Sequence, residues 1–311
     1  MKRKFRTSKS APVIQGASLT QGQLEVQAIQ KKMRFYSVEE QPNYWLLPDN
    51  ERRQFLTQVF GDPSRGIPYG KIFELCGMFS GGKTALALEL AAEAQADGAD
   101  VAVIDLESTR DAKWEAIRGL DTNLVVPFQS RLVRDKLNSA PRMLTAEEVF
   151  EQAEIYVKKK LAKDPKRKIF LMVDSVTAIM PEREEEAGLE GGQMAMLASF
   201  MSRLLKRWVP IAWTHNVMMV LINQLRLNPG VRFGNPEYRP GGRALDFYTS
   251  VIVKVKRESK GHGWLLKGGK KIGIRGNLTN QKNKVGGQEG EVIGYKLYFS
   301  KRARFLNNSD Q

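Results

Sequence analysis

Cysteine and histidine are nearly missing from this 311-residue chain: Cys76 is its single thiol, and His215 and His262 are its two imidazoles. One thiol excludes an intrachain disulfide and a cysteine zinc cluster, and two histidines leave no conventional structural metal site. A reducing, cytoplasmic setting is expected. Long apolar runs are missing as well. The longest, Val217–Ile222, suits a buried strand and falls far short of the ~20 residues that cross a bilayer. No apolar stretch follows the basic N-terminus, so neither a secretory leader nor a membrane partner is expected.

Acidic residues are scarce at both ends. Residues 1–35 hold eight basic residues and one acidic, and 251–311 hold fourteen and four, giving +7 and +10. The whole chain is +15, from 49 Lys and Arg against 34 Asp and Glu, which leaves −2 for the 215 residues between. A near-neutral body with two cationic ends predicts a polyanionic partner, nucleic acid first. Basic termini that only aid solubility are the alternative on charge alone. Hydrophobic residues make up 42% of the chain, enough for a sizeable core.

Residues 1–20 read as a flexible basic arm, and 22–34 as a short helix with Leu24, Val26 and Ile29 as a meagre apolar stripe. Such a stripe needs a docking partner, so 1–35 form a basic arm with an oligomerisation helix. Residues 36–65 connect it to a core over 66–301, and 302–311 form a basic, polar tail. From about residue 70 strands and helices alternate. Lys71–Cys76, Val101–Ile104, Ile169–Val173 and Val217–Ile222 read as strands. Thr84–Gln95, a helix opened by the Thr145/Glu148 capping box and ending near Lys160, and Gln193–Trp208 are the helices between. The fold class is α/β, a mostly parallel twisted sheet flanked by helices. Short strands around 250–256, 271–275, 278–283 and 292–299 predict an antiparallel extension of that sheet.

The sharpest motif is Gly77-Met78-Phe79-Ser80-Gly81-Gly82-Lys83-Thr84, a complete GxxxxGK[ST] between a predicted strand and a predicted helix. Glycines let backbone N–H groups converge on phosphate oxygens, and the helix N-terminus adds positive potential. Lys83 is placed to reach the β- and γ-phosphates, and Thr84 to offer its hydroxyl to Mg²⁺. Asp174, closing the Ile169–Val173 strand, is the second magnesium candidate. Glu107, two residues past Asp105, is a carboxylate able to polarise an attacking water. ATP and Mg²⁺ are therefore the expected cofactors.

Further blocks follow in order: Gly66-Ile67-Pro68-Tyr69-Gly70-Lys71, Ile104-Asp105-Leu106-Glu107, Val173-Asp174-Ser175-Val176 and Ile222-Asn223-Gln224-Leu225-Arg226. Gly234-Asn235-Pro236-Glu237 and Gly241-Gly242-Arg243-Ala244-Leu245 complete them. From about Gly66 to Lys301 the chain thus resembles the ATPase core of RecA-type DNA recombinases, the bacterial branch in particular. The resemblance implies a RecA-like P-loop fold, with Glu107 as catalytic base and Gln224 as γ-phosphate sensor. It implies that Asp111 accepts from the adenine amino group and that Trp114 stacks on the base. Lys282 and Lys284 match a lysine pair donated across the subunit interface of a helical filament, at strand positions that share a face.

Two stretches resemble the family's DNA-binding loops. The first is Glu182–Met194, where Met194 takes the place of an apolar wedge. The second is Leu225–Gly242, with Arg226, Gly230, Arg232, Arg239, Gly241, Gly242 and neighbouring Arg243. Ser199, Ser202 and Lys206 lie along one helix and are expected to line the same path. Pro229 stands where an aliphatic wedge is usual, and Met78-Phe79 replaces a Pro-Glu pair inside the phosphate loop. The chain stops about where the RecA core ends, so the duplex-gathering C-terminal domain is expected to be absent, with basic residues 254–275, Lys301, Arg302 and Arg304 as partial substitutes. The implied function is ATP-dependent filament formation on single-stranded DNA, then pairing and strand exchange with a homologous duplex. Single-strand-binding or mediator proteins are the further partners considered. A mediator ATPase that regulates another recombinase is the alternative.

Overall fold

The computed structural model describes residues 45–133, 141–182, 192–228, 230, 234–259 and 262–306. The predicted arm and helix of 1–35 lie outside the described residues, as do 36–44 and most of the first predicted DNA loop. Pro229, Arg232 and the tail beyond 306 lie outside them too.

The elements that organise the core run as follows. Helix α1 (Glu51–Phe60) precedes β1 (Ile72–Gly77), α2 (Lys83–Ala96), β2 (Asp100–Asp105), α3 (Ala112–Ile117) and β3 (Val125–Gln129). Then come α4 (Ala146–Lys163), β4 (Ile169–Asp174), α5 (Gln193–Thr214), β5 (Val217–Gln224) and α6 (Ala244–Tyr248). Strands β6 (Val251–Arg257), β7 (Trp264–Lys267), β8 (Lys270–Asn283), β9 (Val292–Tyr298) and β10 (Arg304–Leu306) follow. The ten-stranded sheet has the order β10-β9-β8-β6-β1-β5-β4-β2-β3, with β7 paired to β8. Strands β6, β1, β5, β4, β2 and β3 are mutually parallel, and the rest are antiparallel. The predicted α/β core with an antiparallel extension is the observed fold.

Side-chain alternation explains why this sheet is covered on both faces. Along β4, Phe170 and Met172 join the core beneath α1 and α2, while Ile169, Leu171 and Val173 join the one beneath α4 and α5. Strand β5 divides the same way, with Met218, Val220 and Ile222 against Val217, Met219 and Leu221. A strand apolar at every position can only be buried twice over, which is the signature of a parallel sheet.

Sequence boundaries shift in several places, and the expected tail from 302 begins inside the sheet, because Arg304–Leu306 pairs with β9. Helix α5 continues to Thr214 through Pro210. A proline forfeits one helical hydrogen bond and crowds the preceding turn. Burial of Trp208 and Ala212, both 0% exposed, holds the helical path on either side of it. The two predicted strands 271–275 and 278–283 are one strand, β8. Strand β7 was not predicted; it folds back on β8 over Gly268-Gly269, whose φ values of 56° and 74° suit a tight hairpin turn.

The predicted capping box at α4 is present: Thr145 Oγ1 accepts from the Glu148 N–H at 3.3 Å, and the Glu148 carboxylate accepts from the Thr145 N–H at 2.9 Å. Arg142 clasps that carboxylate at 2.7 and 2.8 Å and, with the Thr145 bonds, holds its pKa at about 2. Thr145→Ala is expected to lower stability by about 1 kcal/mol, read as a lower urea midpoint at unchanged slope.

One buried ion network was invisible in the sequence. Glu89, fully buried on α2, binds Arg52 of α1 at 2.8 Å, Arg302 at 2.9 Å and Arg118 at 3.4 Å. Neighbouring Glu93 binds Arg53 at 3.0 Å and Arg302 at 2.8 Å. These contacts staple α1 and the segment before β10 onto the helix that follows the phosphate loop.

Candidate nucleotide site and the adjoining loop

The register of the parallel strands brings the chemistry to one edge. Gly77 of β1 lies opposite Gln224 of β5, Asp174 of β4 lies opposite Ile222 of β5, and Asp105 of β2 lies opposite Asp174. Carboxyl ends of strands in an open α/β sheet are where such folds bind ligands.

The phosphate loop spans the gap from β1 to α2. Ser80 and Gly82 sit at φ 54° and 88°, the left-handed conformation found in backbone concavities that bind anions. A Cβ on Gly77 would lie 2.2 Å from the Val255 carbonyl, so the loop's close packing on β6 requires glycine there. The buried Tyr295 hydroxyl donates to the Gly81 carbonyl at 2.5 Å, bracing the loop from β9. Tyr295 had no signal in the sequence, because 214 residues separate the two partners.

Lys83 folds back on its own loop, donating to the Gly77 carbonyl at 3.0 Å and to Met78 at 2.9 Å. Burial pushes its ammonium below the ordinary value, against the opposing pull of Asp174 and Glu107. Thr84 donates its hydroxyl hydrogen to Asp174 at 2.8 Å. Burial drives the Asp174 carboxyl up to about 6, and Glu107 and Asp105 add to the rise. A hydroxyl and a desolvated carboxylate form a hard oxygen pair, and the excess negative potential there is what a divalent cation relieves. These two residues fit Mg²⁺.

Glu107 accepts hydrogen bonds from the Gln224 side-chain amide at 3.3 Å and from the Ser175 hydroxyl. Asp105, 1% exposed, supports the turn carrying Glu107 by accepting from the Thr109 and Arg110 N–H groups at 3.2 and 3.1 Å and from Gln129 at 2.9 Å. Ser175 and Asp105 were missed as site residues, although each stands beside a residue the motif reading singled out. A cleft of about 400 Å³ opens over Lys83, Thr84, Glu107, Asp174 and Gln224, with Phe79, Trp114 and Trp264 on its walls. Phe79 is 75% exposed.

Asp111 is engaged as the N-cap of α3, accepting from Lys113 N at 2.8 Å and Trp114 N at 3.3 Å. The Trp114 ring lies 4.2 Å from the Arg118 guanidinium, which covers one of its faces. Lys282 donates to the Asp246 and Thr249 carbonyls of its own chain, both at 2.5 Å, while Lys284 is exposed just past the end of β8. Burial lowers the Lys282 ammonium below its ordinary value, and the positive charge of Lys284 nearby adds to the fall.

Of the predicted DNA contacts, Met194 is 69% exposed at the start of α5. Ser199 and Lys206 are exposed along that helix, and Ser202 is half-buried. Arg226, Gly230, Gly242 and Arg243 are exposed. Gly241, at φ 96°, is buried where a Cβ would press within 2.9 Å of Leu245. Arg239 departs from expectation. It is folded onto Glu74 at 2.5 Å and onto Asp246, because a carboxylate buried inside the sheet draws the nearest guanidinium.

A phosphate loop, a strand-end carboxylate beside it and a poised Glu107–Gln224 pair define a P-loop nucleotide-binding protein. A family profile described as the RecA N-terminal domain matches residues 60–292. Curated relatives named Protein RecA include that of Syntrophus aciditrophicus, 37% identical over 71% of this chain and 57% of its own length. The RecA proteins of Geobacter sulfurreducens and Acholeplasma laidlawii are 36% and 33% identical over 71% of this chain, covering 58% and 60% of theirs. The matched stretch thus spans less than two thirds of each relative. The chain belongs to the RecA family. Among the described residues, no helix is long and apolar enough to cross a membrane.

Proposed function

We propose that this protein is an ATP-dependent recombinase that assembles a helical filament on single-stranded DNA and pairs it with a homologous duplex. The observation that carries this reading is the Glu107–Gln224 contact, at 3.3 Å, directly before the arginine-bearing loop 225–243. One residue thereby touches the hydrolytic carboxylate and roots a DNA-contacting segment, which is what a nucleotide-gated grip requires.

Residues 66–301 are the ATPase core in this reading, and the basic arm of 1–35 docks on the next subunit. Lys83 exchanges the Gly77 and Met78 carbonyls for β- and γ-phosphate oxygens of ATP. Glu107 takes a proton from water as the water oxygen attacks the γ-phosphorus, and the bond to the β,γ-bridging oxygen breaks, releasing ADP and phosphate. Thr84 and Asp174 would hold Mg²⁺, which would supply charge neutralisation at the phosphates. Asp111 and Trp114 hold the base. Arg226, Arg243, Met194, Ser199, Ser202 and Lys206 line the DNA path, where backbone contacts suffice because base pairing reads the sequence.

Electron microscopy with single-stranded DNA and a non-hydrolysable ATP analogue tests this directly. Extended helical filaments that need both ligands are expected; closed rings, or no assembly, would contradict it. DNA affinity should fall steeply with salt, since each phosphate contact contributes a slope of about 0.7 on single strands. Arg226→Ala and Arg243→Ala should each reduce that slope by about one contact without creating a sequence preference. Titrations at several salt concentrations that give a flat slope would remove the phosphate-tracking role of this loop.

The Lys282/Lys284 pair separates a filament enzyme from a self-contained ATPase. The double alanine variant should bind nucleotide almost normally yet lose DNA-stimulated hydrolysis. Mixing it with excess Glu107→Gln protein should restore part of that hydrolysis, because mixed interfaces pair an intact Glu107 with intact lysines from a neighbour. No recovery on mixing would sink donation in trans.

A further inference from the structure

Glu74 is fully buried in the middle of β1, three residues before the phosphate loop begins at Gly77. A carboxylate inside a parallel sheet is costly unless charge and hydrogen bonds meet it. Two partners do so. The Arg239 guanidinium reaches one oxygen at 2.5 Å, and the Asn223 amide donates to the other at 2.9 Å. Neither partner serves Glu74 alone. The second arm of Arg239 binds Asp246 on α6, and the Asn223 amide also donates to the Pro240 carbonyl at 2.9 Å. Two residues before Arg239, Glu237 is paired with Lys254 of β6. The returning limb of the loop, 237–240, is thus tied to three neighbouring strands.

The position of these ties matters more than their number. Asn223 is the residue before Gln224 and lies opposite Cys76 in the β1–β5 register. Glu74 and Asn223 therefore sit on the two strands whose ends carry the phosphate loop and Gln224. Hydrogen bonds through Asn223 and Glu74 thus link these two strands to Arg239 and Pro240.

We propose that Glu74 and Arg239 are a positioning pair that clasps the loop 225–243 to the strand feeding the phosphate loop, so that the loop's grip on DNA answers to the bound nucleotide. This rests on the reading of that loop as a DNA-contacting segment. Arg239 is then a positioning residue rather than a phosphate contact. Its planar fork offers separate N–H groups to two carboxylates at a fixed geometry, which a lysine's ammonium reproduces only in part.

The test uses the full chain and four variants: Glu74→Gln, Arg239→Gln, the two combined, and Arg239→Lys. Affinity for a labelled oligothymidylate is measured with a non-hydrolysable ATP analogue and with ADP, alongside affinity for a fluorescent nucleotide. Nucleotide affinity should stay within about twofold in every variant, while the ratio of the two DNA affinities should fall about tenfold in each Gln variant. The combined variant should be no worse than either alone, because both remove one shared contact. Arg239→Lys should recover part of the ratio. Trypsin cleavage within 225–243 of DNA-free Glu74→Gln should also be faster than in the unaltered protein. Where Glu74→Gln does not fold, Arg239→Gln carries the affinity comparison and Arg239→Lys the proteolysis.

Two results would overturn the clasp. One is a loss of DNA affinity in Arg239→Gln that is equal in both nucleotide states, with the salt slope reduced by about 0.7, which would make Arg239 a phosphate contact. The other is an unchanged ratio and unchanged proteolysis in all variants. If the unaltered protein itself shows no nucleotide-dependent DNA affinity, the recombinase reading fails instead, and loop proteolysis still decides the clasp.

Discussion

Lys83→Ala is expected to abolish ATP-dependent DNA binding and to weaken ATP affinity by about 100-fold or more. The estimate follows from two charge-assisted hydrogen bonds to phosphate, each worth roughly 1.5–3 kcal/mol, and a tenfold change per ~1.4 kcal/mol. The fold should survive the change. Among the described residues the Lys83 side chain bonds to the Gly77 and Met78 carbonyls alone, at 3.0 and 2.9 Å, and the loop keeps its brace from Tyr295. Circular dichroism and the urea midpoint should therefore remain near those of the unaltered protein. ATP affinity within a few-fold of normal in a folded variant would contradict the assignment of this loop to the phosphates.

Glu107→Gln should separate binding from hydrolysis. The glutamine keeps a side-chain oxygen able to accept from Ser175 and from Gln224, so the local geometry is retained. What it loses is the capacity to take a proton from water. Positioned general bases contribute roughly 10²–10⁴ in rate, so turnover should fall at least about 100-fold while ATP and DNA affinities stay near normal. Slow hydrolysis should also lengthen the lifetime of DNA complexes formed with ATP, which a dissociation time course measures. Normal turnover would remove Glu107 as the base and turn attention to the other carboxylates at the strand ends.

The parallel half of the fold was legible because Ile169–Val173 of β4 and Val217–Ile222 of β5 are unbroken apolar runs, which only a doubly covered strand tolerates. The phosphate loop was legible because its glycines, lysine and threonine are contiguous and stand between a strand and a helix. Asp174 and Glu107 gained their meaning from that neighbour. Contacts made at long separation were not legible. Arg239 and Glu74 are 165 residues apart, and nothing in the arginine's own neighbourhood distinguishes a hand offered to DNA from one held by the sheet. Glu89 likewise gathers three arginines from three distant segments. Asp111 illustrates a different limit: an aspartate before a helix is an N-cap by local physics, whatever else its second oxygen serves. Strand β7 was missed because its four residues are too few for a periodic signal, although the Gly268-Gly269 pair marked the turn.

In the proposed function, response to nucleotide, filament assembly and homologous pairing belong to one protein. Joint-molecule formation between a labelled single strand and a supercoiled duplex tests it most directly, with a heterologous duplex of equal length as control. Joint molecules are predicted with the homologous duplex alone, requiring ATP and Mg²⁺ and lost in Lys83→Ala. A protein that assembles on single strands and hydrolyses ATP, yet forms no joint molecules with the homologous duplex, would contradict the claim and leave a mediator that acts on another recombinase.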